Sequence, residues 1–357
     1  MKASHIVLYR YAIPFTEPIT VKGKRLVQRE GIILALKSHE ERHIAYGEIA
    51  PLPGLHRESL HLAEIQLIEL LAKYDFAAPC LLQDGLYPSV RTGLEMAMIN
   101  LESAISGTLP AFSDSGYIAG QVPVNALLFG ETASIIKRAE EYFTRGYRTF
   151  KLKITAVDAD NAIRSIRALH RMFGNRIELR LDANQSLSLD EALDFAGNIP
   201  KESIAYIEEP LKQAEQIGEF YAQTAILSGL DETLWQKPEL LDQIPEAALA
   251  ALILKPNRVG GISAALQLAR YARKHKLKAV FSSAFESGIS LSFYAWLAAS
   301  TASKPAACGL DTYRYLKHDL LETPFRAENA LLDAGKLYRE GMKVSQRSLM
   351  RTSIWTL

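Results

Sequence analysis

The sequence predicts an α/β protein, a (β/α)-type barrel preceded by a smaller α+β unit. Three observations predict it. Apolar β-type runs recur eight times over about 190 residues. Amphipathic helical patterns separate most of them, at the spacing of roughly 20 to 30 residues that βα units require. Nearly every run ends in a charged or polar residue. An open doubly wound sheet is the runner-up.

The first stretch reads as sheet. Ser4–Pro14 is β-rich, Pro18–Lys24 is a turn-rich loop, and Gly31–Lys37 is a continuous apolar strand. A charged turn, His39–His43, and a short strand ending at Gly47 complete a three-stranded meander. Ser59–Tyr74 and Tyr87–Ser106 have helical periodicity; in the second, Val90, Leu94, Ala97, Met98 and Leu101 recur at three- and four-residue spacing. Polar residues in Pro110–Gly120 mark a boundary. Beyond it come the eight runs: Val122–Leu128, Thr149–Ile154, Ile177–Asp182, Ala205–Glu208, Ala225–Leu230, Ala250–Lys255, Ala279–Ser283 and Ala307–Leu310. Between the second and third, Ile163, Ile166, Leu169 and Met172 share one helical face. Gly260-Gly261 reads as a tight turn before a helix at Ser263. The uncharged run Ser287–Ser303 is too short to span a bilayer and reads as a loop entering a buried helix. From Glu322 onward the chain reads as a return to the first unit.

Composition narrows the function. A chain of 357 residues, 48% hydrophobic and 23% charged, buries a large core. Its 41 basic and 40 acidic residues leave a net charge of +1, so no global field draws it to nucleic acid or a membrane surface. The two cysteines, Cys80 and Cys308, form neither a disulfide framework nor a metal motif, and the N-terminus carries Lys2, His5 and Arg10 where a signal peptide needs an apolar core. A cytoplasmic enzyme acting on a small molecule is the expectation, with no oligomeric state specified. The eight histidines lack metal-ligand spacing and are assigned no chemistry.

The ionisable residues sit at strand ends. Lys151 and Lys153 lie in F-K-L-K-I, Asp182 ends L-R-L-D, Glu208 falls in I-E-E-P, Asp231 in L-D-E-T and Lys255 in L-I-L-K-P-N; Ser282, Ser283 and Glu286 follow the seventh run. In a parallel barrel these ends meet at one mouth. Alone, each has a bland explanation: solvated lysines on a strand, an N-cap, a turn before proline, a capping cluster, a surface loop. Five such residues closing five successive runs point instead to a site. Three crowded carboxylates repel one another, and a divalent cation relieves that; all-oxygen donors favour Mg²⁺, with Mn²⁺ as substitute, over Zn²⁺. Lys151 and Lys153 share a strand face, and mutual repulsion plus desolvation would lower an ammonium toward the range a general base needs. Lys255 would approach from the other side. A metal and a tuned lysine suit removal of a proton α to a carboxylate.

K-L-K-I, L-D-A-N, I-E-E-P, L-D-E-T and I-L-K-P-N, in this order, resemble the enolase superfamily in its muconate-lactonising subgroup, over nearly the whole chain. G-E-I-A-P-L-P-G-L at 47–55, R-L-V-Q-R-E-G at 25–31, V-P-V-N-A-L-L at 122–128 and S-S-A-F-E-S-G at 282–288 are most similar to the o-succinylbenzoate synthases. The resemblance implies a modified (β/α)7β TIM-like barrel of residues 121–315, an α+β capping domain of residues 1–120, and a C-terminal segment, 316–357, returning to the cap. It makes Asp182, Glu208 and Asp231 the Mg²⁺ ligands and Lys153 the base that takes the α-proton and returns it to the leaving hydroxyl. Lys151 would tune Lys153, and Lys255 would stabilise the enediolate across the ring. Asn125, Ser282, Ser283, Glu286 and Gly288, with Pro53, Gly54 and Leu55 of the capping loop, match substrate-facing positions. The loops Thr20–Arg25 and Pro51–Leu55 would close over the site.

The implied reaction is syn dehydration of 2-succinyl-6-hydroxy-2,4-cyclohexadiene-1-carboxylate to o-succinylbenzoate, in menaquinone synthesis. N-acylamino acid racemases, dipeptide epimerases and muconate cycloisomerases reuse the same lysines and metal site and stay open. An epimerase would want an acid after the last run to hold an amino group, and Asp311 sits near enough. A non-catalytic barrel scaffold is the remote alternative, since every expected ligand and lysine is present. A metal-dependent aldolase would not call for lysines on opposite strands.

Overall fold

The structure, a computed structural model, describes residues 3–38, 42–72, 84–112 and 118–356. Residues 39–41 of the expected charged turn, 73–74 of the first helix, Cys80, and 113–117 of the boundary lie outside the described residues.

β1 (Ala3–Val21) and β2 (Lys24–Ser38) form a long antiparallel hairpin, and β3 (Ile44–Ile49) pairs with β2. The expected loop at Pro18–Lys24 is the end of this hairpin instead. The pairing slips between Pro14 and Ile19, which accommodates prolines that have no ladder donor, and the chain reverses at Lys22 (φ +43°) and Gly23 (φ +79°). α1 (Leu60–Ala72) and α2 (Pro88–Ser106) cover one face of this sheet. Ala63, Leu67, Val90, Leu94 and Leu101 pack there on Ile6, Leu8, Ile32, Leu34 and Leu36, alternate residues of β1 and β2. α2 lies so close to β3 that a Cβ on Gly47 would strike the Gly93 carbonyl.

The second unit opens with β4 (Gln121–Pro123) and β5 (Ala126–Leu128), then α3 (Thr132–Thr144) and β6 (Thr149–Lys153). α4 (Ala159–Phe173), β7 (Glu178–Asp182), α5 (Leu189–Gly197) and β8 (Ile204–Glu208) follow. After α6 (Ile217–Thr224) come β9 (Ser228–Leu230), the single-turn α7 (Thr233–Gln236) and β10 (Leu249–Leu254). The single-turn α8 (Pro256–Val259), α9 (Ile262–Lys274), β11 (Lys278–Phe281) and α10 (Gly288–Thr301) complete it.

The parallel sheet runs β11-β10-β9-β8-β7-β6-β5. Its eighth position is thinner than the expected strand Ala307–Leu310. Cys308 bridges to Val124 on one side and Gly309 to Ser282 on the other, which joins the two ends of the sheet. β9 is also shorter than expected, because Ala225 takes a left-handed conformation (φ +58°) that stops α6. Tyr206, Ala251, Ile253 and Val280 form one apolar cluster along the sheet, and the helices pack a larger one on its outer face. α10 is buried nearly all round, as its uncharged sequence predicts.

The C-terminal segment serves both units. β12 (Leu331–Asp333) pairs with β4, α11 (Ala334–Gly341) packs on α10, and β13 (Met350–Thr356) adds a fourth strand beside β1. No described helix is long and apolar enough to cross a membrane.

Candidate active site

Strand register sets the site. Lys153 pairs with Asp182 across β6 and β7, and Asp182 with Glu208 across β7 and β8; Asp231 follows β9 and Lys255 follows β10. The sheet order therefore reads lysine, aspartate, glutamate, aspartate, lysine along adjacent strand ends. On β6 the buried Phe150 and Leu152 alternate with Lys151 and Lys153, so both ammonium groups share the other face.

Asp182, Glu208 and Asp231 are each at most 1% exposed. Lys151 Nζ bridges Asp182 Oδ2 (2.8 Å) and Glu208 Oε1 (2.7 Å). Lys153 Nζ donates to Asp182 Oδ2 (2.5 Å) and Asn184 Oδ1 (2.7 Å), and Lys255 Nζ donates to Asp231. Burial alone would raise Asp182, but Lys151 and Lys153 outweigh it and hold its carboxyl well below the usual range. Glu208 goes the other way: burial, then the Asp182 charge, pushes it up to about 8. Burial would lower Lys151, yet Asp182, Glu208 and Asp231 raise it well above the ordinary lysine value. Lys255 is likewise raised against burial by Asp231 and Glu232. At Lys151 the three carboxylates thus outweigh the lowering that burial brings. Two of those carboxylates, on the next two strands, lie within 2.8 Å of its ammonium.

Among the described residues no three His, Cys, Asp or Glu side chains converge as a ready-made metal group; Lys151 Nζ stands between Asp182 and Glu208. The donor chemistry nevertheless fits a hard divalent cation. Three buried carboxylates end neighbouring strands, and at Glu208 the Asp182 charge adds to burial in disfavouring the ionised form.

A supporting layer escaped the sequence reading. Glu209 adopts φ +43° and accepts from Asp231 N (2.7 Å), Thr233 N (2.7 Å), Thr233 Oγ1 (2.8 Å) and Gln185 Nε2 (3.0 Å). It thereby holds the turn that presents Asp231. Asn184 (φ +44°) links Lys153 to Glu232, its Nδ2 donating to Glu232 Oε1 (3.1 Å). The signal was present, since the second carboxylates of E-E-P and D-E-T and the Asn of D-A-N are these residues.

The expected substrate-facing residues divide. Ser282 and Ser283 are both 8% exposed at the end of β11, where Ser283 Oγ reaches Gly309 O (3.0 Å) and Thr312 Oγ1 (2.7 Å). Asn125 is buried beside Cys308, its N–H donating to the Cys308 carbonyl (3.0 Å). Glu286 is 1% exposed with both oxygens engaged, by Asn257 Nδ2 and by Ala284 N (2.5 Å). Gly288 starts α10 with its N–H on Asp319 Oδ1 (2.8 Å), and a Cβ there would collide with that carboxylate.

Both capping loops lie on the barrel's strand-end loops. Lys22 sits 5.9 Å from the Trp235 ring centroid, and Arg258 stacks on the same ring at 3.7 Å. Pro53 is exposed; Leu55 N–H closes a turn on Leu52 O (3.0 Å). Gly54 (φ +89°) lies against Val21, with room for no Cβ: one would stand 2.6 Å from the Val21 carbonyl. Buried Arg29 donates to Ala50 O, Pro51 O (3.1 Å) and Phe285 O (3.1 Å), tying the second loop to the β11 end.

Comparison with known proteins follows the same outline. Residues 134–338 match the family described as enolase C-terminal domain-like, and residues 3–101 match the MenC N-terminal domain. An o-succinylbenzoate synthase from Haemophilus influenzae is 31% identical, over 88% of this chain and 91% of that protein. The chloroplastic protein PHYLLO of Arabidopsis thaliana is 30% identical over 99% of this chain, which spans only 24% of PHYLLO's length. The solved dipeptide epimerase from Enterococcus faecalis, complexed with Mg and a dipeptide, superposes with a TM-score of 0.82 at 18% identity, over 98% of this chain and 99% of that one. The chain is an enzyme of the enolase superfamily, in the family that holds the o-succinylbenzoate synthases.

Proposed function

We propose that the chain is an o-succinylbenzoate synthase, a hydro-lyase that converts 2-succinyl-6-hydroxy-2,4-cyclohexadiene-1-carboxylate to o-succinylbenzoate and water in menaquinone synthesis. The observation that carries this is the order of strand ends, with Lys153 and Lys255 flanking Asp182, Glu208 and Asp231. The MenC match of the capping unit supports the substrate.

Asp182, Glu208 and Asp231 would hold Mg²⁺, or Mn²⁺ in its place, and the ion supplies Lewis-acid stabilisation of negative charge on the substrate carboxylate. Lys153 Nζ takes the proton α to that carboxylate. The C–H electron pair moves toward the carboxylate as an enediolate, then forms the new ring double bond as the hydroxyl leaves. The same Nζ returns its proton to the departing hydroxyl, so the C–O bond breaks and water leaves from the face on which the proton was taken. Lys255, across the ring, offsets the charge that develops meanwhile. Lys151 accompanies the carboxylates and keeps its own charge. Asn125, Ser282, Ser283 and the wall at Pro53, Gly54 and Leu55 would contact the succinyl and ring ends. Residue chemistry also supports a cytoplasmic location, because Cys80 and Cys308 form no disulfide motif.

A racemase of N-acylamino acids is the second reading, since lysines on both flanks supply two bases. The dipeptide epimerase reading has less support. Asp311 is held by Arg314 Nε (2.8 Å to each oxygen) and Tyr147 OH (2.9 Å), which leaves it committed rather than open to a substrate ammonium. The test is incubation with the cyclohexadiene carboxylate and Mg²⁺. A new aromatic absorbance is expected; racemisation of N-succinyl amino acids without dehydration would transfer the assignment to the racemase.

A further inference from the structure

His56 stands where the second capping loop meets the end of β10. Leu52 N–H donates to its Nδ1 at 2.9 Å, and its Nε2 lies 3.0 Å from the Asn257 carbonyl. A ring that accepts at Nδ1 must carry its proton on Nε2, so the two contacts select one neutral tautomer. Desolvation, followed by the charges of Arg258 and Arg29, holds the imidazole well below the usual histidine range, in keeping with that double role.

The carbonyl it reaches belongs to a turn of consequence. α8 is a single turn with Lys255 as its N-cap; Arg258 N (2.8 Å) and Val259 N (3.0 Å) fold back on Lys255 O, and Gly261 N (2.9 Å) on Pro256 O. So short a helix leaves carbonyls that need outside donors, and His56 supplies one to Asn257. The Asn257 side chain continues the connection to Glu286, and Glu286 to Ala284 beside Ser283. One imidazole therefore ties the loop after β3 to the strand ends that bear Lys255 and Ser283.

We propose that His56 is a positioning residue: by donating Nε2–H to the Asn257 carbonyl it fixes the turn that carries Lys255, and so sets where that ammonium stands against the substrate ring. The proposal rests on the assignment of Lys255 as the cation opposite Lys153. Lys255 is needed most when charge develops, so displacing it lowers kcat while the substrate still binds. A residue that merely anchored the loop would raise KM and leave kcat alone.

The test compares the parent with His56→Asn, His56→Gln and His56→Ala. Asparagine places an acceptor where Nδ1 stands, keeping the Leu52 bond, but is too short to reach Asn257. Glutamine offers an N–H at the reach of Nε2. Steady-state kinetics on the cyclohexadiene carboxylate are expected to show kcat down about tenfold in His56→Asn, with KM within threefold of the parent, and most of kcat restored in His56→Gln. Amide hydrogen exchange of substrate-free protein is expected to quicken across residues 255–261 in His56→Asn and to return to parental rates in His56→Gln. Parental kcat in His56→Asn, or a rise in KM alone, overturns the proposal. If the parent fails to dehydrate the substrate, the assignment of function falls, while exchange still decides the positioning role: parental rates at 255–261 in His56→Asn overturn it. His56→Ala removes both bonds and should match or exceed the loss in His56→Asn; should it not fold, the Asn and Gln pair decides.

Discussion

Lys153 and Asp182 are register partners on adjacent strands, and Lys153 Nζ lies 2.5 Å from Asp182 Oδ2. The proposed base is thus held beside the proposed ligand by the ladder itself, at the most accessible of the three lysines: its side chain is 38% exposed, against 14% for Lys151 and 13% for Lys255. Lys153→Ala should lower kcat by about 10³-fold or more, since a positioned acid–base group typically contributes 10² to 10⁴ and the proposed reaction uses this one twice. Circular dichroism and Mg²⁺ binding by calorimetry should match the parent. Activity within tenfold of the parent would remove Lys153 from proton transfer.

Glu208→Gln separates the two partners of Lys151. It removes a buried carboxylate that repels Asp182 and Asp231, and with it one of the three proposed donors to a cation. Metal-free protein should melt no lower than the parent, while Mg²⁺ affinity falls at least tenfold and turnover is lost. Asp182→Asn should also lose turnover, but with a lower melting temperature, because Lys151 and Lys153 lose their shared acceptor. Full activity of the parent in excess chelator would remove the metal from the mechanism.

The proposed chemical centre is legible in the sequence because its residues close β-type runs, and a two-residue period puts Lys151 and Lys153 on one face whatever the rest of the fold does. Residues whose role depends on distant partners are not. Arg29 meets Phe285, and His56 meets Asn257, only after cap and barrel have docked. The hairpin turn at Lys22-Gly23 is misread as a longer loop because prolines at 14 and 18 suggest breakage, whereas a register slip absorbs them. The eighth barrel position shrinks to two bridges, and β12 leaves the tail for β4, because three-residue pairings carry too little pattern to be seen.

Glu48 shows how cap and barrel hold together. From β3 it accepts Ser287 N–H (3.0 Å), Ser290 N–H (3.2 Å) and Ser287 Oγ (2.9 Å) at the N-terminus of α10, and Tyr11 OH from its own sheet. Only 2% exposed, it is a helix cap supplied by another unit. Glu48→Ala would strand these donors away from water and should cost about 3 kcal/mol or more in urea unfolding. A loss below about 1 kcal/mol would show that water replaces the carboxylate.

Glu286 should make stability depend on pH. Burial pushes its carboxyl up to about 7 from the ordinary 4.5. The folded state therefore keeps this proton where the unfolded chain has lost it. Its contribution is complete below pH 4.5 and fades as pH rises through about 7. Glu286→Gln cannot titrate. The difference in unfolding free energy between parent and variant should shift against the parent by on the order of 1 to 3 kcal/mol between pH 5 and 8. A constant difference across that range would mean the Asn257 and Ala284 donors keep Glu286 ionised.

Lys22 tests whether the β1–β2 hairpin serves as a cover. Its ammonium approaches the Trp235 ring, which Arg258 also stacks on, so Trp235 lies between the cap and the strand end that bears Lys255. An exposed cation–π contact is worth about 0.5 to 1 kcal/mol, or roughly two- to fivefold in an equilibrium. If the contact favours the hairpin lying over bound substrate, Lys22→Ala should raise KM by that factor and leave kcat nearly unchanged, because no reacting atom has moved. Lys22→Arg should restore KM, since guanidinium stacks on indole at least as well as ammonium does. An unchanged KM in Lys22→Ala would mean that the loops are held by the backbone contact of Gly54 with Val21 and by Arg29, and that the hairpin is a fixed wall around the site.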